Sequence, residues 1–441
     1  MRIDKIMNRI FRKISTYKYD QFVAFSSRLN PFLADEIIED VKKKLNKIQN
    51  YIFGFYLFTN RNPNMKKILL LIWIPFLNYS QDKPIVDIGG ALRYNYLYSS
   101  WNSDQKDIGG DFVYDIFRVN AEARYKGVYL NVEYREYSTA FGGGFLKRGW
   151  MGYTLSEQED IQIGLTQVPF GIQTYNSNNW FFNLTYYVGL EDDHDMGIKY
   201  MNKGDKFEYQ LAFFKNSELF DLGGSNEVSP NRYAYDIVGK NKEINQFNGK
   251  FIYKTGEEFK HRIGLSAQYG GLYNINTKKT GDHHALGLHH ELFYKRWNLK
   301  TELLTVRHNP INADGQSRDI VRMGAYGFPY DIASDFEMYT AAISYDLPVD
   351  IGPISHLKFY NDFGYMDKRA QGFKNSAMNV TGMLITAGDV YIYIDYAAGY
   401  NHSWFGGDFT NELGQGKPNL GWEARFNINF GYYFLTDTKS R

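Results

Sequence analysis

Across residues 421–434 the chain reads GWEARFNINFGYYF, and its two interleaved rows are so unlike that they face different solvents. Trp422, Ala424, Phe426, Ile428, Phe430, Tyr432 and Phe434 form one row; Glu423, Arg425, Asn427 and Asn429 form the other. This is the period of two expected of a β-strand, whose successive side chains point to opposite faces. Strands of soluble sandwiches usually run about five or six residues. A strand tilted across a bilayer needs roughly 9 to 11, with aromatic residues where its outer face meets the headgroups. The stretch meets the second demand.

The pattern recurs along the chain. Leu92, Tyr94, Tyr96 and Tyr98 alternate with Arg93 and Asn95 within 89–99; Phe117, Val119, Ala121, Ala123 and Tyr125 alternate with Arg118, Asn120, Glu122 and Arg124 within 115–125. A tight Lys126-Gly127 turn leads to Val128, Leu130, Val132 and Tyr134, which alternate with Asn131, Glu133 and Arg135. Similar stretches at 146–155, 160–168, 195–201, 207–215, 246–254, 261–269, 284–295, 297–307, 336–346, 355–366, 376–387 and 390–399 bring the total to about sixteen strands. Short connections alternate with long ones, the asymmetry of an all-β transmembrane antiparallel barrel with short periplasmic turns and long outer loops. Closure then pairs the last strand with the first.

Composition narrows the class. Only 44% of the 441 residues are hydrophobic, whereas 37 Tyr and 33 Phe supply aromatic girdles, and with no Cys the chain forms no disulfide. The longest apolar run, ILLLIWIPFL at 68–77, is far short of the roughly 20 residues of a spanning helix. It belongs to MKKILLLIWIPFLNYSQ, which has the three-part form of a secretory signal peptide. The expected organisation is therefore a mis-called or non-native extension at 1–64, a signal peptide at 65–80 and an outer-membrane barrel at 81–441. Residues 81–441 carry 36 Lys and Arg against 43 Asp and Glu, so the barrel is acidic and no nucleic-acid binder.

With lipid on the outer row, function falls to the inner row and the loops. The polar phase places Arg93, Arg118, Arg124, Arg135, Lys199, Lys250, Arg262, Lys295, Lys300, Lys358 and Arg425 in the lumen, with Glu122, Glu133, Glu208, Glu291, Glu302, Asp362 and Glu423 among them. A cationic excess in a low-dielectric channel favours anions. Closure sets Arg425, Arg93, Arg118, Arg124 and Arg135 on one wall. The third long loop, 169–194, has no Lys or Arg and ends in Glu191, Asp192, Asp193, His194, followed by Asp195. A sixteen-stranded barrel encloses an aqueous bore, and this loop is a suitable filler. Tyr175, Trp180, Phe181 and Phe182 would gain about 25 cal/mol per Å² of apolar surface buried against the wall, with the acidic run facing the basic wall across the water path.

TQVPFGIQTYNSNNWFF (166–182) and YYVGLEDDHDMGIKY (186–200), supported by DIFRVNAEARYKGVYLNVEYR (115–135) and YQLAFFKN (209–216), resemble the phosphate-selective porin O and P family in its Bacteroidota branch. The resemblance spans most of 85–434 and implies a sixteen-stranded outer-membrane barrel of a Gram-negative bacterium, often trimeric, admitting small anions. Two departures stand out: the third loop lacks cationic residues, and LTDTKSR follows the last aromatic residue.

Other constellations carry less. His283, His284, His289 and His290 are spread along a strand over roughly 20 Å at about 3.4 Å per residue, too far for one zinc site. Glu191 to Asp195 offer oxygen ligands without the spacing of a calcium loop, and Gly142 to Gly144 lack the Lys-Ser/Thr partner of a phosphate cradle. No spacing pairs a nucleophile with a base. The expectation is a porin, not an enzyme, with neither metal nor cofactor, passing small hydrophilic solutes with a mild anion preference. The alternatives are a phosphate- or other anion-specific channel and, further off, a barrel hydrolase or adhesin. Its expected partners are outer-membrane lipid, lipopolysaccharide and further copies of itself in a homotrimer.

Overall fold

A computed structural model describes residues 84–218 and 227–435; the extension and signal peptide read at 1–64 and 65–80 lie outside the described residues. In chain order the strands are β1 (Ile85–Ser99), β2 (Asp111–Tyr125), β3 (Val128–Glu136), β4 (Gly144–Thr154), β5 (Glu159–Gln167), β6 (His194–Lys203), β7 (Phe207–Ser217), β8 (Asp236–Ile237), β9 (Asn241–Thr255) and β10 (Lys260–Asn274). They continue as β11 (Thr280–Tyr294), β12 (Trp297–Asn309), β13 (Ile320–Ala325), β14 (Phe328–Ala333), β15 (Asp335–Ile351), β16 (Ile354–Lys368), β17 (Ser376–Ala387), β18 (Val390–Tyr400) and β19 (Glu423–Leu435). Sixteen of them close into one antiparallel barrel, and β8, β13 and β14 form a separate small sheet. All sixteen stretches expected from the alternation are barrel strands.

Closure is made by β1 and β19, in register from Gly89 opposite Leu435 to Ser99 opposite Arg425. It leaves no open edge, which hydrocarbon would not tolerate. Outward positions carry large exposed apolar side chains on almost every strand, among them Leu92, Phe117, Leu130, Ile198, Leu211, Leu265, Leu303, Ile343 and Phe430. Inner neighbours such as Arg93 and Arg118 are polar and line the lumen, while Leu304 joins the inner apolar cluster. No helix among the described residues is long and apolar enough to cross a membrane; the strands do that work.

The long segments are less irregular than the sequence suggests. Two short helices, α1 (Ser103–Ile108) and α2 (Leu184–Tyr187), lie in the first and third loops. The hairpin of β13 and β14, read from sequence as loop, turns on Tyr326 and Gly327, both at positive φ, the backbone that matches the strands' own twist. Val321, Met323 and Ala325 face inward with Tyr330, Ile332 and Ala333 and join the main apolar cluster. That alternation was present but too short to distinguish from loop composition.

Because Asn95 stands opposite Asn429 and the two amides hydrogen-bond at 2.6 Å, the seam can be tested directly. Opposed residues lie about 4.5–5.5 Å apart at Cα, within disulfide range. In a chain without Cys, Asn95→Cys with Asn429→Cys should crosslink on oxidation and change mobility on a denaturing gel, reversibly with reductant. Thiols that stay open to alkylation would place β1 and β19 apart.

Candidate functional site

Between β5 and β6 the third loop, 168–193, turns into the barrel. Its backbone has no ladder there, and buried N–H groups need acceptors. The inner rows of β10 to β18 supply them. Gly171 N–H donates to Ser266 Oγ (3.1 Å), and Ile172 N–H to Glu302 Oε1 (2.5 Å). Asn176 Nδ2 donates to Glu302 and Thr340, both at 2.8 Å. Asp362 accepts from the backbone and side-chain amides of Asn178 and Asn179 at 2.6 to 3.2 Å, and Asp395 accepts from Trp180 N–H at 3.3 Å. Lys300 Nζ donates to the carbonyls of Tyr175 (2.9 Å) and Ser177 (3.3 Å). Charge-assisted bonds of this kind are roughly twice as strong as neutral ones.

Two glycines permit the approach. A Cβ on Gly171, at φ 55°, would meet Glu302 Oε1 at 2.5 Å, and one on Gly364 would meet Asn183 Oδ1 at 2.3 Å. Apolar contact completes the anchor: Phe181, Leu184, Tyr187, Val188 and Leu190 pack with Leu272, Leu304, Met338 and Val380 of the wall.

The loop's acidic end does not face the basic wall across water, and the expected transverse field is corrected accordingly. Glu191 is a staple inside the loop, accepting from Asn176 N–H, Ser177 N–H, Ser177 Oγ and Thr185 Oγ1 at 2.7 to 3.2 Å. Asp192 pairs with Lys147 Nζ and accepts from Tyr233 Oη, both at 2.8 Å. Asp193 and Asp195 are buried as well. Each carboxylate taken out of water needs a nearby donor or cation; Glu191 finds its donors inside the loop and Asp192 its cation on β4.

Two cavities remain. One, about 320 Å³, runs between the third loop and the wall of β1–β3, β18 and β19. Arg93, Arg118, Arg135, Arg425 and Asp115 line its wall side; Tyr175, Ser177, Asn178, Asn179, Trp180 and Phe182 line the loop side. The basic wall therefore faces rings and amides. Its charges are partly neutralised: Arg93 pairs with Asp115 at 2.8 Å, Arg135 with Glu133 at 2.7 Å, and Arg118 reaches Glu133 at 3.9 Å. Arg425 has no carboxylate partner among the described residues; it hydrogen-bonds Ser99 Oγ at 3.1 Å and lies over the rings of Trp101 and Phe405.

A second cavity of about 330 Å³ lies on the short-turn side of the loop, lined by Lys199, Lys250, Arg262, Glu208, Glu291 and His289. Lys199 Nζ donates to Gln167 O (2.8 Å) and Lys250 Nζ to Gln173 Oε1 (3.0 Å), so these cations also hold the loop. Arg262 pairs with Glu208 at 2.7 Å and Glu291 at 3.4 Å.

The remaining candidates scatter. Arg124 pairs with Glu122 at the exposed short-turn rim, and Glu423 bonds Ser100 at the long-loop rim. Lys358 is half-buried in β16, in phase with Asp362. Lys295 leaves the inner row altogether: at φ 53° it forms the turn after β11, its ammonium over the Tyr294 ring. Phe181 is buried against Phe405, whereas Trp180 and Phe182 are only partly buried. The histidines remain apart, His283 stacking on His308 and His290 on His261. Ser266 Oγ and His289 Nε2 meet at 3.1 Å, but the hydroxyl accepts Gly171 N–H and His289 has no carboxylate partner among the described residues. That pair is a loop anchor. Asp115 and Lys147 were missed because each is the extra residue of a β-bulge, opposite Arg93/Tyr94 and Glu133/Tyr134, where alternation fails.

No family model matches the chain, and no curated protein matches it in sequence. Solved structures do. The anion-selective porin from Comamonas acidovorans superposes with a TM-score of 0.51 at 12% identity, over 80% of this chain and 100% of that one. OmpF of Salmonella typhi gives 0.52 at 10% identity over 81% and 99%. The trimer form of OmpT from Vibrio cholerae gives 0.50 at 13% over 80% and 100%. The barrel is of the outer-membrane porin type. At these identities the likeness is one of fold alone.

Two outcomes follow from the loop's anchors. Asp362→Ala leaves the amides of Asn178 and Asn179 without their acceptor and should cost about 2–4 kcal/mol, with added open-channel noise in bilayer recordings. A wild-type denaturation midpoint and quiet current would mean these bonds do not hold the loop. Burial favours protonated Asp192, but Lys147 and its basic neighbours outweigh that and hold the carboxyl below its ordinary range. A depressed carboxylate contributes stability above its unfolded pKa and loses it as pH falls through the folded one. Asp192→Asn should therefore lower the melting temperature at neutral pH, with the difference shrinking below about pH 3.9.

Proposed function

We propose that this barrel is a porin of the Gram-negative outer membrane through which small hydrophilic solutes diffuse passively, with a mild preference for anions. One observation carries the reading: the cavity beside the third loop has four arginines on its lining and a single carboxylate, Asp115. In a channel with low-dielectric walls, such an excess raises the local anion concentration. The third loop acts as the constriction that sets the size limit. The Comamonas porin, described as anion-selective, lends support through a shared fold. Assembly as a homotrimer, in contact with lipid and lipopolysaccharide, is part of the proposal and draws on the trimer form of OmpT. So is the loss of residues 1–80 from the mature protein.

A phosphate-specific channel is the second reading, favoured by the sequence resemblance at 166–200. Against it stand the absence of Lys and Arg from the third loop and the carboxylates already paired with Arg93 and Arg135. Saturable block of chloride current by phosphate would decide for it.

Planar-bilayer recordings in a salt gradient test the whole. Deleting residues 175–183 should raise conductance and relax size exclusion, and unchanged conductance would place the loop outside the path. Arg93→Ala, Arg118→Ala and Arg425→Ala should each move the reversal potential towards cations, most at low ionic strength where screening is least. Arg425→Ala should have the largest effect, since that charge lacks a carboxylate counter-ion. Identical reversal potentials in all three would make the arginines ordinary wall solvation.

A further inference from the structure

We infer that the loop layer carries a divalent-cation site built from Asp193, Asp195 and Asp236, with Glu218 beside them, suited to a calcium-sized ion. The inference is independent of what the pore conducts. Asp193 ends the third loop, Asp195 is on the inner row of β6, and Asp236 belongs to β8 in the small sheet. One carboxylate oxygen from each lies within 4.8 Å of the other two. Calcium–oxygen bonds of about 2.3–2.6 Å fit a cation among them.

Charge balance points the same way. Asp193, Asp195 and Asp236 are 8%, 3% and 2% exposed, and the side chain of Glu218 is 8% exposed. Glu243 on β9 approaches the same group. Among the described residues the cation beside them is Arg232, whose Nη1 donates to Asp236 at 2.6 Å and reaches Glu218 at 3.5 Å. His283 stands 3.7 Å from Glu243. Among the described residues one guanidinium stands against three buried aspartates and the less buried Glu218 and Glu243, and a buried charge without a partner is strongly unfavourable.

A separate observation locates the missing charge. Among the described residues, Oδ1 of Asp193, Oδ1 of Asp195 and both carboxylate oxygens of Glu218 are buried without a hydrogen-bond partner. Glu191, by contrast, has gathered four donors, and Asp192, though its Oδ1 is also unpartnered among the described residues, has a cation and a hydroxyl on its other oxygen. Here lone pairs face one another, the arrangement that a metal ion rather than a donor completes. The donors are oxygen alone, which selects a hard cation. Magnesium demands near-octahedral geometry and retains several waters, whereas calcium accepts irregular carboxylate shells. An ion here would tie the exit of the third loop to the small sheet at the mouth.

The test uses detergent-solubilised protein freed of lipopolysaccharide and treated with EDTA. Calorimetric titration with calcium should show one site per chain with a dissociation constant on the order of 0.1–1 mM, and calcium should raise the melting temperature more than equal magnesium does. Asp195→Asn and Asp236→Asn should weaken binding by roughly tenfold or more, while Asp104→Asn, on exposed α1, should not. Should the variants fold poorly, the calcium-specific melting shift of the wild-type protein still decides. A wild-type melting curve indifferent to calcium overturns the proposal. So does an Asp195→Asn protein that binds calcium as the wild type does, or one that is stabilised while calcium has no effect, since protons would then balance the cluster.

Discussion

Hydrocarbon offers no hydrogen-bond partner to a backbone N–H or C=O, and each group left unpaired there costs several kcal/mol. A sheet escapes that cost only by closing. The ladder between β1 and β19 therefore decides more than the barrel's shape. Once closed, the outer row is free to be apolar and the inner row becomes the one place where charge can collect. The division visible in GWEARFNINFGYYF is that constraint written at the level of single residues.

Inside the barrel the same accounting reappears for the third loop, but with side chains as acceptors. Glu302, Asp362 and Asp395 occupy inner-row positions on β12, β16 and β18, and each takes backbone N–H groups that no ladder could reach. A wall carboxylate so engaged is no longer a free pore charge. The lumen's electrostatics are thus set by the residue of a structural demand: Glu302, Asp362 and Asp395 are consumed by the loop, and Arg93, Arg118 and Arg425 are left lining the cavity on the opposite wall.

The fold was legible because alternation is long-range and redundant: all sixteen strands and the seam could be read from it. The site was legible in part. Inner-row charges such as Arg93, Glu302 and Asp362 followed from phase alone, but their partners did not. Asp115 and Lys147 occupy bulges, where one extra residue breaks the phase, and each supplies a counter-charge, to Arg93 and Asp192. Lys295 failed at the other extreme, since the inner-row phase carries straight into a turn that belongs to neither face. The fate of the acidic run depended on Tyr233 and Asp236, distant in sequence, which no local pattern could bring to it.

The order of the chain gives the loop's anchors a kinetic meaning. Ser266, Glu302, Thr340, Asp362 and Asp395 all follow the loop they hold, by 95 to 215 residues. Most of the loop's receptor therefore follows it in the chain, and closing such long contours is slow. These anchors can close only when β10, β12, β15, β16 and β18 stand in the wall, so the constriction depends on the part of the barrel that the chain supplies after it.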